Sequence, residues 1–149
     1  MEKYNFSFEE IRIVEVDFKV KQPEEHGEIQ VNPSLSFGHT VDLNLLEVNL
    51  GISFEHPCAP FKFNVIGVGK FKFKKNIQES FGDKINQVAI INCCSIIFPF
   101  LREIIAELTR KAGFTPMLLP PVNFLNIYKE IEQNDKNCSQ TTGNSEACQ

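Results

Sequence analysis

The chain has 149 residues, 23% of them charged, and a formal net charge of −4. That length fits one domain able to bury a core without disulfides or metals, and the acidic balance argues against nucleic acid or an anionic membrane as partner. The cysteines, Cys58, Cys93, Cys94, Cys138 and Cys148, form no C-x-x-C pair and the opening residues do not read as a signal peptide, so a reducing cytoplasm is the expected compartment.

From Val14 to Lys21 apolar residues alternate with charged ones, Val14, Val16, Phe18 and Val20 against Glu15, Asp17, Lys19 and Lys21, which is the period of a half-buried strand. After the turn-like QPEEHG, a weaker strand covers Glu28 to Phe37, interrupted at Asn32-Pro33. Val41, Leu43 and Leu45 then alternate in one phase, and Leu46, Val48, Leu50, Ile52 and Phe54 in the other. Such a flip predicts a β-bulge near Leu45-Leu46. EHPCAP reads as a hairpin connection. Phe61 to Lys74 alternates most cleanly, with Phe61, Phe63, Val65, Phe71 and Phe73 on one side and Lys62, Asn64, Lys70, Lys72 and Lys74 on the other. Strands in series with short polar links favour an antiparallel sheet, most economically a meander.

Beyond Asn76 the spacing becomes helical: Ile97, Leu101, Ile104, Ile105 and Leu108 recur at three and four. Pro99 predicts that this helix begins or kinks nearby, and Gly113 predicts its end. The stretch GFTPMLLPPVNF, Gly113 to Phe124, is an apolar loop with three prolines, and its large side chains must be either buried or offered to a partner. Asn123 is the expected N-cap of a second helix, Phe124 to about Gln133. Residues 1–134 are therefore expected to form one domain, and the polar remainder, 135–149, a disordered tail. The apolar run from Val88 to Leu101 reads as too short and too polar to span a bilayer.

No catalytic constellation emerges. His26, His39 and His56 stand beside no nucleophile. Cys93-Cys94 reads as a pair of small core residues in preference to a soft-metal or redox site. GVGKFKF begins like a phosphate loop but continues a strand. Lys70, Lys72 and Lys74 read as a solvated sheet face rather than a nucleic-acid surface, because Phe71 and Phe73 point away from them. Binding is the remaining class of function, with no enzyme activity, metal or cofactor expected.

Cys94 to Tyr128, CSIIFPFLREIIAELTRKAGFTPMLLPPVNFLNIY, resembles the C-terminal signature of the SecB family of protein-export chaperones, in which an LFPYARE-type helix leads through a glycine and an FP-L-L-PVNF loop to a second helix. Fainter likeness continues upstream in Arg12-Ile13 and Asp17. The resemblance implies an α+β fold: a four-stranded antiparallel sheet followed by two helices, with dimers pairing into a homotetramer. It also implies ATP-independent binding of non-native, extended, apolar polypeptides such as preproteins. The crossover loop and the start of the last helix, Phe114, Met117, Leu118, Leu119, Pro120, Val122 and Phe124, would then bind client. Asp17, Lys21, Lys62 and Asn64 fall where the family docks the translocase motor SecA. Acids are usual at the positions of Lys21 and Asn64, so docking to SecA is expected to be weak, and a role as dedicated chaperone of one partner, such as a labile antitoxin, is the alternative.

Overall fold

The computed structural model describes residues 6–141, with side chains to residue 136. Strand β1 spans Phe6–Val20, β2 Ser34–Asp42, β3 Leu45–Phe54 and β4 Phe61–Phe73. All pairings are antiparallel, in the order β1-β4-β3-β2. The expected four-stranded antiparallel sheet is present, but the meander covers only β2 to β4. Residues 21–33 carry β1 across the end of the sheet to lie beside β4. The cross-strand partners explain this choice: Phe6 pairs with Phe73, Phe8 with Phe71 and Phe18 with Phe63, joining apolar faces. The crossing segment is held to the β3–β4 connection, where Lys21 N–H donates to the Pro60 carbonyl and Glu24 N–H to that of Pro57.

Three expectations for the strands need correction. β1 begins at Phe6, well before Val14, and its simple alternation is broken by register shifts between Phe8 and Glu10 and between Ile13 and Glu15. Val14 falls in the second shift and is exposed. The weak strand at 28–37 lies instead at Ser34–Asp42. The phase flip at Leu45-Leu46 is no bulge: Asp42 pairs with Leu45, so Leu43 and Asn44 form a two-residue hairpin turn in which Leu43 adopts φ 55°. Asn44 Nδ2 braces the turn by donating to the Phe73 carbonyl at 3.1 Å. Leucine carries no turn signature, which is why the sequence concealed the reversal.

Helical segments from Ile77 to Lys111, interrupted at Gly82 (φ 52°), cover one face of the sheet. Short α1 (Ile77–Phe81), capped by Asn76 Oδ1, tightens into a 3-10 turn at Gly82–Lys84. The run returns to α geometry in α2 (Ile85–Gln87), widens to a π-helix at Val88–Cys93 and continues as α3 (Cys94–Lys111). Helical structure thus starts twenty residues before Ile97, and Pro99 lies inside α3. By length and composition alone this longer run would pass as a membrane span, but half of its apolar stretch is buried in this fold.

α3 docks directly on β4. A Cβ at Gly67 would stand 2.8 Å from Leu101 Cδ2, and one at Gly69 2.9 Å from Ile97 Cδ1, so the two glycines let the helix approach the strand. The core around this contact comprises Leu46, Val48, Leu50 and Ile52 of β3, Phe63, Val65 and Phe71 of β4, and Ile97, Leu101 and Ile105 of α3. α3 ends as expected at Gly113, φ 91°: Phe114 N–H donates to the Thr109 carbonyl and Gly113 N–H to that of Arg110, the paired bonds of a Schellman stop. The last helix, α4, spans Phe124–Thr141 and runs past Gln133 into the segment expected to be disordered; Glu132 and Lys136 support that extension as an i,i+4 pair at 3.4 Å. Residues 142–149 lie outside the described residues.

Candidate functional site

The proline loop is fixed to the sheet and helix at four points. Phe114 packs on Phe61 with ring centroids 5.3 Å apart. Met117 N–H donates to Thr109 Oγ1 at 2.9 Å, and the Leu119 carbonyl accepts from Arg102 Nε at 2.7 Å. Phe124 sits edge-on to Phe98 of α3 and to Phe37 of β2, at 5.8 and 6.2 Å. The expected N-cap is present, with Asn126 N–H donating to Asn123 Oδ1 at 3.3 Å. Prolines lower the entropy lost in holding such a loop extended.

This anchoring divides the residues expected to bind client. Met117, Leu119 and Phe124 are buried, at 8%, 0% and 3% exposure, so they belong mainly to the core, and Phe124 alone of the three also borders the trough beside the loop. The physical reason is that each faces the helix or sheet that holds the loop. Phe114 and Val122 are half-buried against the core, while Pro120 is exposed. Leu118 stands out, at 67% exposure.

Beside the loop lies an open trough of about 820 Å³. One wall is the helical face of Gln87, Ile91, Asn92, Ser95 and Ile96; the other is Pro121, Val122, Asn123 and Leu125, with Phe6 and Phe124 completing it. Ile91, Ile96 and Leu125 were not among the residues expected from sequence. For Ile91 and Ile96 the signal was present in the i,i+4 spacing 87, 91, 95 and 92, 96, but it runs through the π-helical stretch Val88–Cys93 and the first turn of α3, ahead of the residues whose spacing marks the helix in the sequence. The trough carries little charge and no acid or base, so it can hold an apolar chain and offers no groups for acid–base catalysis.

The opposite sheet face is polar. Asp17, Lys62 and Asn64 line a concavity of about 360 Å³ there with Glu55, Ser34 and Ser53. Asn64 Nδ2 donates to Glu15 Oε2 at 2.7 Å. Lys21 is not free for docking in this structure, because its Nζ donates to the His56 carbonyl at 2.9 Å. The face is also less cationic than its lysine run implied. Lys70 lies 3.5 Å from Glu10 and 3.9 Å from Glu47, since the register sets Lys70 between those two residues.

Cys93 and Cys94 are fully buried. Burial raises both thiol pKa values, that of Cys94 to about 12, and proximity of Cys94 raises Cys93 further. They therefore remain protonated and unreactive at neutral pH. Among the described residues no group of His, Cys, Asp and Glu is placed to hold a metal ion.

Known proteins share this arrangement. The family model described as preprotein translocase subunit SecB matches residues 4–135. A protein-export protein SecB of Hyphomonas neptunium is 31% identical over 114 residues, covering 70% of this chain and 66% of its own length. One from Azoarcus is 29% identical over 134 residues, 84% of this chain and 86% of its own. The chain thus spans a little under two thirds of the first relative and most of the second. Among solved structures, a SecB-like chaperone of Mycobacterium tuberculosis, in complex with a ChAD peptide from the HigA1 antitoxin, superposes with a TM-score of 0.58 at 14% identity, over 78% of this chain and 90% of that one. At that identity the likeness concerns the fold. With the family model spanning most of the chain and the four-stranded antiparallel sheet and helices as expected, the protein belongs to the SecB family, a family of chaperones and not of enzymes.

Proposed function

We propose that this chain is an ATP-independent holdase of the cytoplasm that binds non-native, extended, apolar polypeptides, preproteins in export among them, and works as a homotetramer without a cofactor. The observation that carries the reading is the trough walled by Ile91, Ile96, Val122 and Leu125, open along one side of a rigidly held apolar loop. Such a trough matches extended apolar segments without selecting one sequence, because few polar groups are present to impose hydrogen-bond specificity. Leu118 of the loop and Leu125 of α4 supply exposed apolar contacts beside it. Oligomerisation is supported by a second apolar surface: Phe8, Ile13, Val16 and Val20 of β1 and Phe100 of α3 are exposed, and Phe8 and Phe100 lie 5.9 Å apart. Isolated monomers rarely leave such continuous apolar surface uncovered.

A narrower reading dedicates the same trough to one partner. It is favoured by the outer sheet face, where Lys62 stands beside Asp17 and Asn64 is engaged with Glu15, so that the acidic surface expected for SecA docking is diluted. The fold's likeness to a SecB-like chaperone solved with an antitoxin peptide is compatible with it. Titrating the purified protein with a fluorescein-labelled unfolded polypeptide, in competition with an antitoxin-derived peptide, tests both. Capture of the unfolded probe without nucleotide is the expected result. Binding of the peptide alone would establish the dedicated role, and binding of neither would remove the chaperone reading.

A further inference from the structure

α3 and the proline loop run side by side, and two side chains of the helix fix the loop's register. Thr109 Oγ1 donates to the Ile105 carbonyl at 3.0 Å and so turns a lone pair to the Met117 N–H, 2.9 Å away. Arg102 Nε donates to the Leu119 carbonyl at 2.7 Å. Arg102 and Thr109 are seven positions apart, which sets them on one stripe of the helix about 10.5 Å apart along its axis. Three extended residues cover about 10 Å. An extended segment from Met117 to Leu119 matches that spacing, and extended backbone sends successive side chains to opposite sides. The burial follows that rule: Met117 and Leu119 are buried, and Leu118 between them is exposed.

We infer that Arg102 and Thr109 are positioning residues of the client-binding wall, which select Leu118 as the loop side chain offered to client and withhold Met117 and Leu119. A slip of the loop by one residue would turn Leu118 inward, and bringing Met117 and Leu119 outward would break their core packing, so a slipped loop offers client no ordered apolar wall. The two hydrogen bonds oppose that slip, because each addresses one particular backbone group. Arg102 is suited to this task since its guanidinium keeps a planar, permanently charged donor set at the loop carbonyl. The inference rests on the chaperone reading and adds which loop residue a client meets and what determines it.

The test is a double-mutant cycle on capture of a labelled polypeptide kept unfolded by reduction and carboxymethylation. Arg102→Met keeps the aliphatic stem and removes the donor; Leu118→Ser removes the offered side chain. Each single change is expected to weaken capture about tenfold, the scale of one leucine's apolar burial, and the double variant should be no weaker than Leu118→Ser alone. Losses that multiply, or Arg102→Met binding as well as the unaltered protein, would overturn the inference while leaving the chaperone reading intact. Failure of the unaltered protein to bind the probe would overturn both. If Arg102→Met does not fold, the near-isosteric Thr109→Val must show the same non-additivity with Leu118→Ser, and multiplicative losses there would overturn the inference as well.

Discussion

Leu118 and Leu119 are chain neighbours of one residue type with opposite surroundings, 67% and 0% exposed, and their substitution should separate binding from stability. Leu119→Ala should lower unfolding free energy by about 2–5 kcal/mol through lost burial and the cavity left behind, whereas Leu118→Ser should leave thermal unfolding nearly unchanged and weaken client capture. Calorimetry alongside a binding titration checks both, and a stability loss at Leu118 equal to that at Leu119 would contradict the alternation. The vicinal cysteines give a second residue-scale expectation. The folded protein holds the Cys94 proton up to about 12, above the ordinary 9.0, so at alkaline pH the unfolded chain binds fewer protons than the folded one. The stability associated with neutral, buried Cys93 and Cys94 is full below pH 9 and falls as the pH rises from there toward 12. Denaturant midpoints measured from pH 7 to 10.5 should show the decline, and thiol labelling mapped by mass spectrometry should leave both residues unmodified in the native state at pH 8.

At the scale of elements, the contact between α3 and β4 is close at two glycines, where any side chain would have to displace Leu101 or Ile97 and Phe71. Gly67→Val should cost about 1–3 kcal/mol by overpacking against Leu101, read as a shifted denaturation midpoint. Substituting the exposed Gln78 on α1 should do little. The sheet's central strands were legible because β3 and β4 bury one face, so that Leu46 to Phe54 and Phe61 to Phe73 alternate cleanly. The edge strand β1 was legible only in its second half, since its register shifts break the period. Placement of β1 beside β4 depends on cross-strand partners distant in sequence, and period-2 alternation cannot name them. Likewise the helix's first half escaped notice because π and 3-10 geometry disturb the 3.6-residue spacing. The loop between α3 and α4 was found from its prolines and glycine, yet its inward and outward residues could not be assigned until Arg102 and Thr109 fixed their register.

For the whole molecule, the exposed apolar strip of β1 and α3 calls for association. Sedimentation at micromolar concentration should show a dimer or tetramer, and a stable monomer of about 17.0 kDa would contradict it. Because the strip of Phe8, Ile13, Val16, Val20 and Phe100 carries no charge, raising the salt concentration should change assembly little and affect any docking on the charged sheet face more. The central claim is that clients bind in the trough beside the loop and not on the outer sheet face, and site-specific photo-crosslinking addresses it most directly. A photoreactive residue in place of Leu125, on the trough wall, should capture an unfolded polypeptide efficiently. The same residue in place of Lys62, across the sheet, should capture little. Efficient crosslinking at Lys62 with none at Leu125 would contradict the account.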